Sequence, residues 1–325
     1  MFWINRKKIA SLFSLICLSS CLFNVCSSKP SLAQTITKKK YKEIKVKPIE
    51  TSIGTKQLTN RVGQFLVVYQ PSSNLNHQKL QNAMRKAGLF ENLVQGLNSL
   101  NLVMRVDVPV VLTDCGSVNA YYTSSDHSIT ICHEFIIGAA EDFNKHLKLP
   151  SQESFEKGLY ATIFAFFHEL GHALIDTLPL PAVGQEEDAV DEFAAIMILQ
   201  SGGDETANIV VNGAIWFGLQ PKGPFWDEHP PSDKRLFNLL CLVYGSNPQK
   251  YGPAFAGLFK NQRVTREELQ TRAARCQQEY DKKLASWNQL LLPHFAVQNR
   301  PWGRVNSSYT HPYPAPPNNS RGRIW

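Results

Sequence analysis

The sequence predicts an α+β domain, on three observations. Segments of strand character gather in the first half of the chain, helical patterns dominate after Gly138, and the two do not alternate as βαβ units would. A content of 43% hydrophobic residues in 325 is enough to bury a core of roughly 235 residues, which we place at 59–295. No internal repeat interrupts this pattern.

Taken in order, residues 1–33 read as an export signal. Arg6-Lys7-Lys8 precede the apolar run IASLFSLICLSSCLFNV, and the small-residue site Ser31-Leu32-Ala33 follows Pro30. A competing site, Leu18-Ser19-Ser20-Cys21, resembles a lipobox that leaves Cys21 lipidated. Either route takes the protein out of the cytoplasm, to the periplasm or the extracellular space. The second adds a lipid anchor. Residues 34–58 form a lysine-rich linker, and residues 296–325, with PYPAPPNNSRGR, a disordered tail. The net charge of +7 is carried by these two ends and the signal, while the middle of the chain is acidic overall. The charge therefore suits a solvated tail or weak surface tether, and no nucleic-acid partner is expected.

Within the domain, Phe65-Leu66-Val67-Val68-Tyr69 reads as a strand, Leu75 to Leu100 as helical, and Val103 to Leu112 as a β-branched strand. A hairpin follows, with strands Ser117–Tyr122 and Ser128–Ile131 turning at Thr123 to His127. Outside the signal there are four cysteines, an even number in an oxidising compartment. Their spacing pairs neighbours, Cys115 with Cys132 and Cys241 with Cys276. No C-x-x-C occurs, so a cysteine zinc site is not expected.

The chemistry concentrates in FFHELGHALI, residues 166–175. Two histidines and a glutamate lie in an otherwise apolar run, and burying ionisable groups costs several kcal/mol each unless something pairs with them. On a helix, His168 and His172 project from one face, so two imidazoles can share one Zn2+ per chain while Glu169 reaches the water that the metal activates. The helix breaks near Pro179 and Pro181, and a second begins after Gly184 with QEEDAVDEFAAIMILQ. At 100° per residue, Glu187 and Asp191 share the side of Val190, Ala194 and Ile198, whereas Asp188 and Glu192 lie elsewhere. Two carboxylates on an apolar stripe need compensation. We assign Glu187 as third ligand, with Glu186 as the alternative, and Asp191 as the acceptor that orients a ligand histidine.

HELGH followed by E-x-x-x-D resembles the gluzincin group of zinc metallopeptidases, the thermolysin-like enzymes, with a shorter gap between the two helices. The set CGSVNAYY, ITICHE, HELGHALI, GQEEDAVDEFA, FWDEHPPSDKR and CLVYG more closely resembles a family of exported bacterial proteins, a domain of unknown function carrying a metallopeptidase label, over about residues 60 to 290. That resemblance implies a zincin-like fold, with a small sheet packed on the HExxH helix and a helical C-terminal lobe. Asn119, Ala120 and Tyr121 are similar to the Asn-Ala-aromatic stretch with which gluzincin edge strands hold an extended peptide; the other reading is a polar hairpin end. His229-Pro230-Pro231 with Arg235 resembles the His-Pro motif of HtpX-like membrane proteases, which implies that His229 donates to an oxyanion; otherwise it caps a helix starting at Ser232. The expected activity is hydrolysis of a peptide or protein substrate. The alternative is a zinc-containing pseudoenzyme or a peptide-binding protein of the cell envelope.

Overall fold

The computed structural model describes residues 62–178, 180–182, 184–221, 229, 231–257 and 265–296. The expected signal, linker and most of the tail, together with Pro179 and Pro230, lie outside these residues. The first half holds β1 (Phe65–Tyr69), α1 (Leu75–Ala87), α2 (Leu89–Ser99), β2 (Val108–Thr113), β3 (Ala120–Thr123) and β4 (Ser128–Cys132). The second half is helical: α3 (His133–Leu147), α4 (Ser151–Thr177), α5 (Glu186–Ser201), α6 (Asp204–Leu219), α7 (Ser232–Ser246), α8 (Pro248–Gly257) and α9 (Arg266–Leu291). This is the α+β division the sequence predicts.

Local chemistry sets several boundaries differently from the sequence reading. The helical stretch from Leu75 to Leu100 is two helices, because Gly88 takes φ +65° and its N–H closes the last turn of α1 on Arg85 and Met84. The β-branched run starts as a strand only at Val108, and the first hairpin strand only at Ala120. Leu102 instead forms an isolated bridge with Phe295, which brings the end of the described chain back beside the connection between α2 and β2.

The sheet order is β1-β2-β4-β3. β1 pairs with β2 in parallel, as does β2 with β4, and only β3 and β4 form an antiparallel hairpin. The expectation that crossover units are absent therefore needs correction: α1 and α2 are the crossover that a parallel β1–β2 pair requires. One sheet face buries Phe65, Val108, Val110, Leu112, Ile129 and Ile131. Phe90 of α2 meets Phe166 of α4 edge to face at 6.0 Å, and this core is continuous from the sheet into the helices.

Helix α4 organises the rest. It touches α3, α5, α6, β3 and β4 and is buried on nearly every side from Gly158 to Gly171. Two glycines permit these approaches. A Cβ on Gly158 would lie 2.7 Å from the Ala140 nitrogen, and one on Gly171 would lie 2.8 Å from Val190 Cβ. Disulfides Cys115–Cys132 and Cys241–Cys276 are formed, one at the end of β4 and one between α7 and α9.

Candidate metal centre

Helical spacing places His168 and His172 side by side on α4, their rings edge to face at 5.1 Å. The short connection after Thr177 and the close passage of α5 over Gly171 then bring the first turn of α5 against them. Glu187 is the residue delivered. Its Oε2 lies 3.2 Å from His168 Nε2, and its Oε1 lies 3.3 Å from His172 Nε2. One donor atom from each of the three residues falls within 4.8 Å of the others.

The opposite ring nitrogens are already engaged. His168 Nδ1 sits 2.8 Å from Asp191 Oδ1, and His172 Nδ1 sits 2.7 Å from Glu186 Oε1. Each imidazole thereby donates outward and turns the lone pair of Nε2 inward. Among the described residues, Glu187 Oε2 is buried with no hydrogen bond, although ring nitrogens of His168 and His229 face it at 3.2 Å. A buried carboxylate oxygen without a hydrogen-bond donor calls for a positive charge. Two inward Nε2 atoms and that oxygen fit a divalent metal ion.

Glu186, weighed as an alternative ligand, instead faces the outer nitrogen of His172 with a side chain 46% exposed. That role has no signature in the sequence, since an acidic residue in a first helical turn is already favoured by the helix dipole. Behind Asp191 stands a second partner that sequence reasoning missed. Arg235 of α7 donates from Nε to Oδ2 and from Nη2 to Oδ1, both at 2.7 Å, and its guanidinium lies 3.4 Å over the Phe217 ring. Burial alone would raise the Asp191 carboxyl, but Arg235 and His168 beside it hold it down. A buried aspartate needs such a cation, so the requirement was readable; which cation met it was not.

Glu169 is buried, and burial pushes its carboxyl up, against the pull of His168 and His172. The nearby backbone N–H of Tyr122 also favours its charged form. This contact follows from strand geometry. Cys132 donates to Asn119, so alternate residues of β3 face β4, and Ala120 and Tyr122 direct their backbone groups off the open edge. Tyr122 also fastens this edge to α4, its hydroxyl donating to Asp176 at 2.6 Å.

Asn119, Ala120 and Tyr121 line the same cleft as His168, Glu169 and Glu187. His229 reaches it from the far side, with a side chain 52% exposed and Nε2 3.2 Å from Glu187 Oε2. A recess beside the histidines is walled by Val118, Phe135, Trp216 and Phe217, with Gln220 and Arg235 as polar groups. The cleft thus combines a metal-fitting cluster, a buried carboxylate and an open strand edge. Among the described residues, no helix is long and apolar enough to cross a membrane.

Comparison with known proteins agrees with this geometry at the level of family. No curated protein matches the chain, and no solved structure does. A family described as "Putative metallopeptidase" matches residues 69–291, which takes in every side chain of the cleft. On that match, the chain belongs to this metallopeptidase family.

Proposed function

We propose that the protein is an exported zinc-dependent peptidase that hydrolyses peptide bonds in peptide or protein substrates outside the cytoplasm. The observation that carries the reading is Glu169. It is a buried carboxylate on the ligand helix, between the metal-fitting cluster and an open strand edge. Purely structural zinc needs four closed ligands and no base.

Zinc held by Nε2 of His168, Nε2 of His172 and the Glu187 carboxylate supplies Lewis acidity toward a scissile carbonyl and an attacking water. The chain's own groups do the rest. Asp191 and Glu186 keep both imidazoles turned inward. A substrate strand pairs with the outward backbone groups of Ala120 while Asn119 and Tyr121 flank it, so affinity comes from main-chain hydrogen bonds that any peptide offers. Glu169 takes the proton of the attacking water and returns it to the leaving amine, aided by the raised affinity for protons that burial gives it. His229, at the rim, donates to the developing oxyanion.

One observation favours a second reading, a metal-retaining pseudoenzyme: His229 approaches Glu187 as closely as His168 does. A third imidazole drawn onto the cluster would close the position that catalysis needs. Peptide-library cleavage by wild type and Glu169→Gln separates the two. Glutamine preserves size and packing but accepts no proton, so hydrolysis should fall by at least about 10²-fold with zinc content unchanged. A wild type that holds a full equivalent of zinc and cleaves nothing in the library would remove the peptidase reading.

A further inference from the structure

A second cluster of histidines and a carboxylate lies outside the cleft. His77 belongs to the first turn of α1, Asp114 directly follows β2, and His133 is the first residue of α3. His77 Nδ1 and His133 Nδ1 both point at Asp114 Oδ1, at 2.7 and 2.6 Å. The two ring centroids are 5.4 Å apart, and one donor atom from each residue falls within 4.8 Å of the others. The two histidine side chains are 10% and 0% exposed. We propose that these three side chains form a second metal site, taking a divalent transition-metal ion such as Zn2+ independently of the His168 cluster.

Three observations support a built site. First, two buried imidazoles share one carboxylate oxygen, so both rings are aimed at a single point by residues that come from three different elements. Second, the Asp114 carboxylate is itself oriented, because Ser72 Oγ donates to its Oδ2 at 2.5 Å. Third, the backbone beneath two of the three ligands is pinned. The Cys115–Cys132 disulfide joins the residues adjacent to Asp114 and His133, and the Glu134 carboxylate accepts from Cys115 N at 3.0 Å and Gly116 N at 2.9 Å. Fixing ligand-bearing backbone before the ion arrives removes much of the ordering cost of binding. The Asp114 side chain is 31% exposed and provides the entry path.

Donor set and spacing define what the ion meets. Two imidazoles and one carboxylate suit zinc and neighbouring transition metals better than the oxygen-seeking Ca2+ or Mg2+. Neighbouring tetrahedral ligands about 2.0 Å from zinc sit roughly 3.3 Å apart, so the cluster must open by about half an ångström as the ion replaces the two hydrogen bonds. Each neutral ring then carries its proton on Nε2. Among the described residues His133 Nε2 is buried without a hydrogen-bond partner, and an unpaired N–H there weakens binding by roughly tenfold or more. The ion at this site therefore ties α1 and α3 to the end of the sheet, with lower affinity than the His168 cluster.

Zinc titration of the metal-free full chain by calorimetry, with bound metal counted after gel filtration, tests this. Wild type is expected to bind two equivalents, one tighter and one weaker. His168→Ala should lose the tighter event alone, and His77→Gln or Asp114→Asn the weaker alone. Glutamine retains an N–H at position 77 and asparagine a carbonyl at 114, so both variants should keep the wild-type circular dichroism spectrum. A single equivalent that disappears in His168→Ala would overturn the proposal, as would a weaker event that persists in both His77→Gln and Asp114→Asn. Survival of the weaker event in His168→Ala supports it even if the cleft proves inactive.

Discussion

Two clusters of the same composition, two histidines and one carboxylate, are built in opposite ways. At His168, His172 and Glu187 the facing nitrogens and oxygens stand 3.2 and 3.3 Å apart, and each ring is held from behind by a carboxylate of its own. At His77, His133 and Asp114 the shared carboxylate takes both rings directly at 2.7 and 2.6 Å, and among the described residues no hydrogen-bond partner holds His133 from behind. The first arrangement separates the group that orients a ligand from the group that binds beside it. The second gives both tasks to one aspartate. Composition alone therefore does not make a metal centre ready; outward acceptors do, because they fix the tautomer and leave the inner nitrogen free to coordinate.

The largest test of this difference is Arg235→Met. It leaves Asp191 buried beside His168 without its bidentate partner, and breaking such a pair costs about 3–5 kcal/mol. Thermal unfolding of the metal-free protein should show the loss. An unchanged melting temperature would mean that Arg235 is not what supports the orienting aspartate.

Asp191→Asn sharpens the contrast at smaller amplitude. It retains an oxygen near His168 Nδ1 but weakens the acceptor, so zinc affinity at the cleft should fall by roughly 10- to 100-fold and be partly recovered in excess zinc. Glu186→Gln should do less, a few-fold at most, because its carboxylate is half exposed and solvent replaces what it supplies. Competition with a zinc chelator ranks the two. Equal effects from both would break the argument that burial of the outward acceptor matters.

Gly171→Ala should have a comparably small effect and isolates packing from charge. A Cβ there meets Val190 at 2.8 Å and Phe193 at 3.1 Å, so α4 and α5 must part slightly. Overpacking of this kind costs about 1–3 kcal/mol, from which up to about 1 kcal/mol of improved helix propensity is returned. The expected net loss is about 1 kcal/mol by chemical denaturation, accompanied by weaker zinc binding at the cleft and no change in zinc binding at the His77 cluster. A stabilised protein with unchanged zinc affinity would show that the helix approach does not set the position of Glu187.

Much of the cleft was legible in the sequence because its residues obey helical periodicity. His168 and His172 are one turn apart, and Glu187 and Asp191 share an apolar stripe, so local geometry decided which side chains travel together before any tertiary contact existed. The cysteine pairings were legible for a related reason, since short separations in the chain favour neighbours. The hairpin and the helical second half followed from patterning, though the extents of its strands did not, and the parallel pairing of β1 with β2 was missed.

What the sequence determined by itself was therefore the α+β division and the faces of its helices, the properties that repeat with the period of the backbone. Which faces meet was left to the tertiary structure. Only the fold decided that Glu186 backs His172, that Arg235 reaches Asp191 from α7, that Tyr122 N–H meets Glu169, and that His77, Asp114 and His133 converge. Each of these joins elements distant in the chain. Their separations carry no periodic signal, because they are set by how helices and sheet pack around one core.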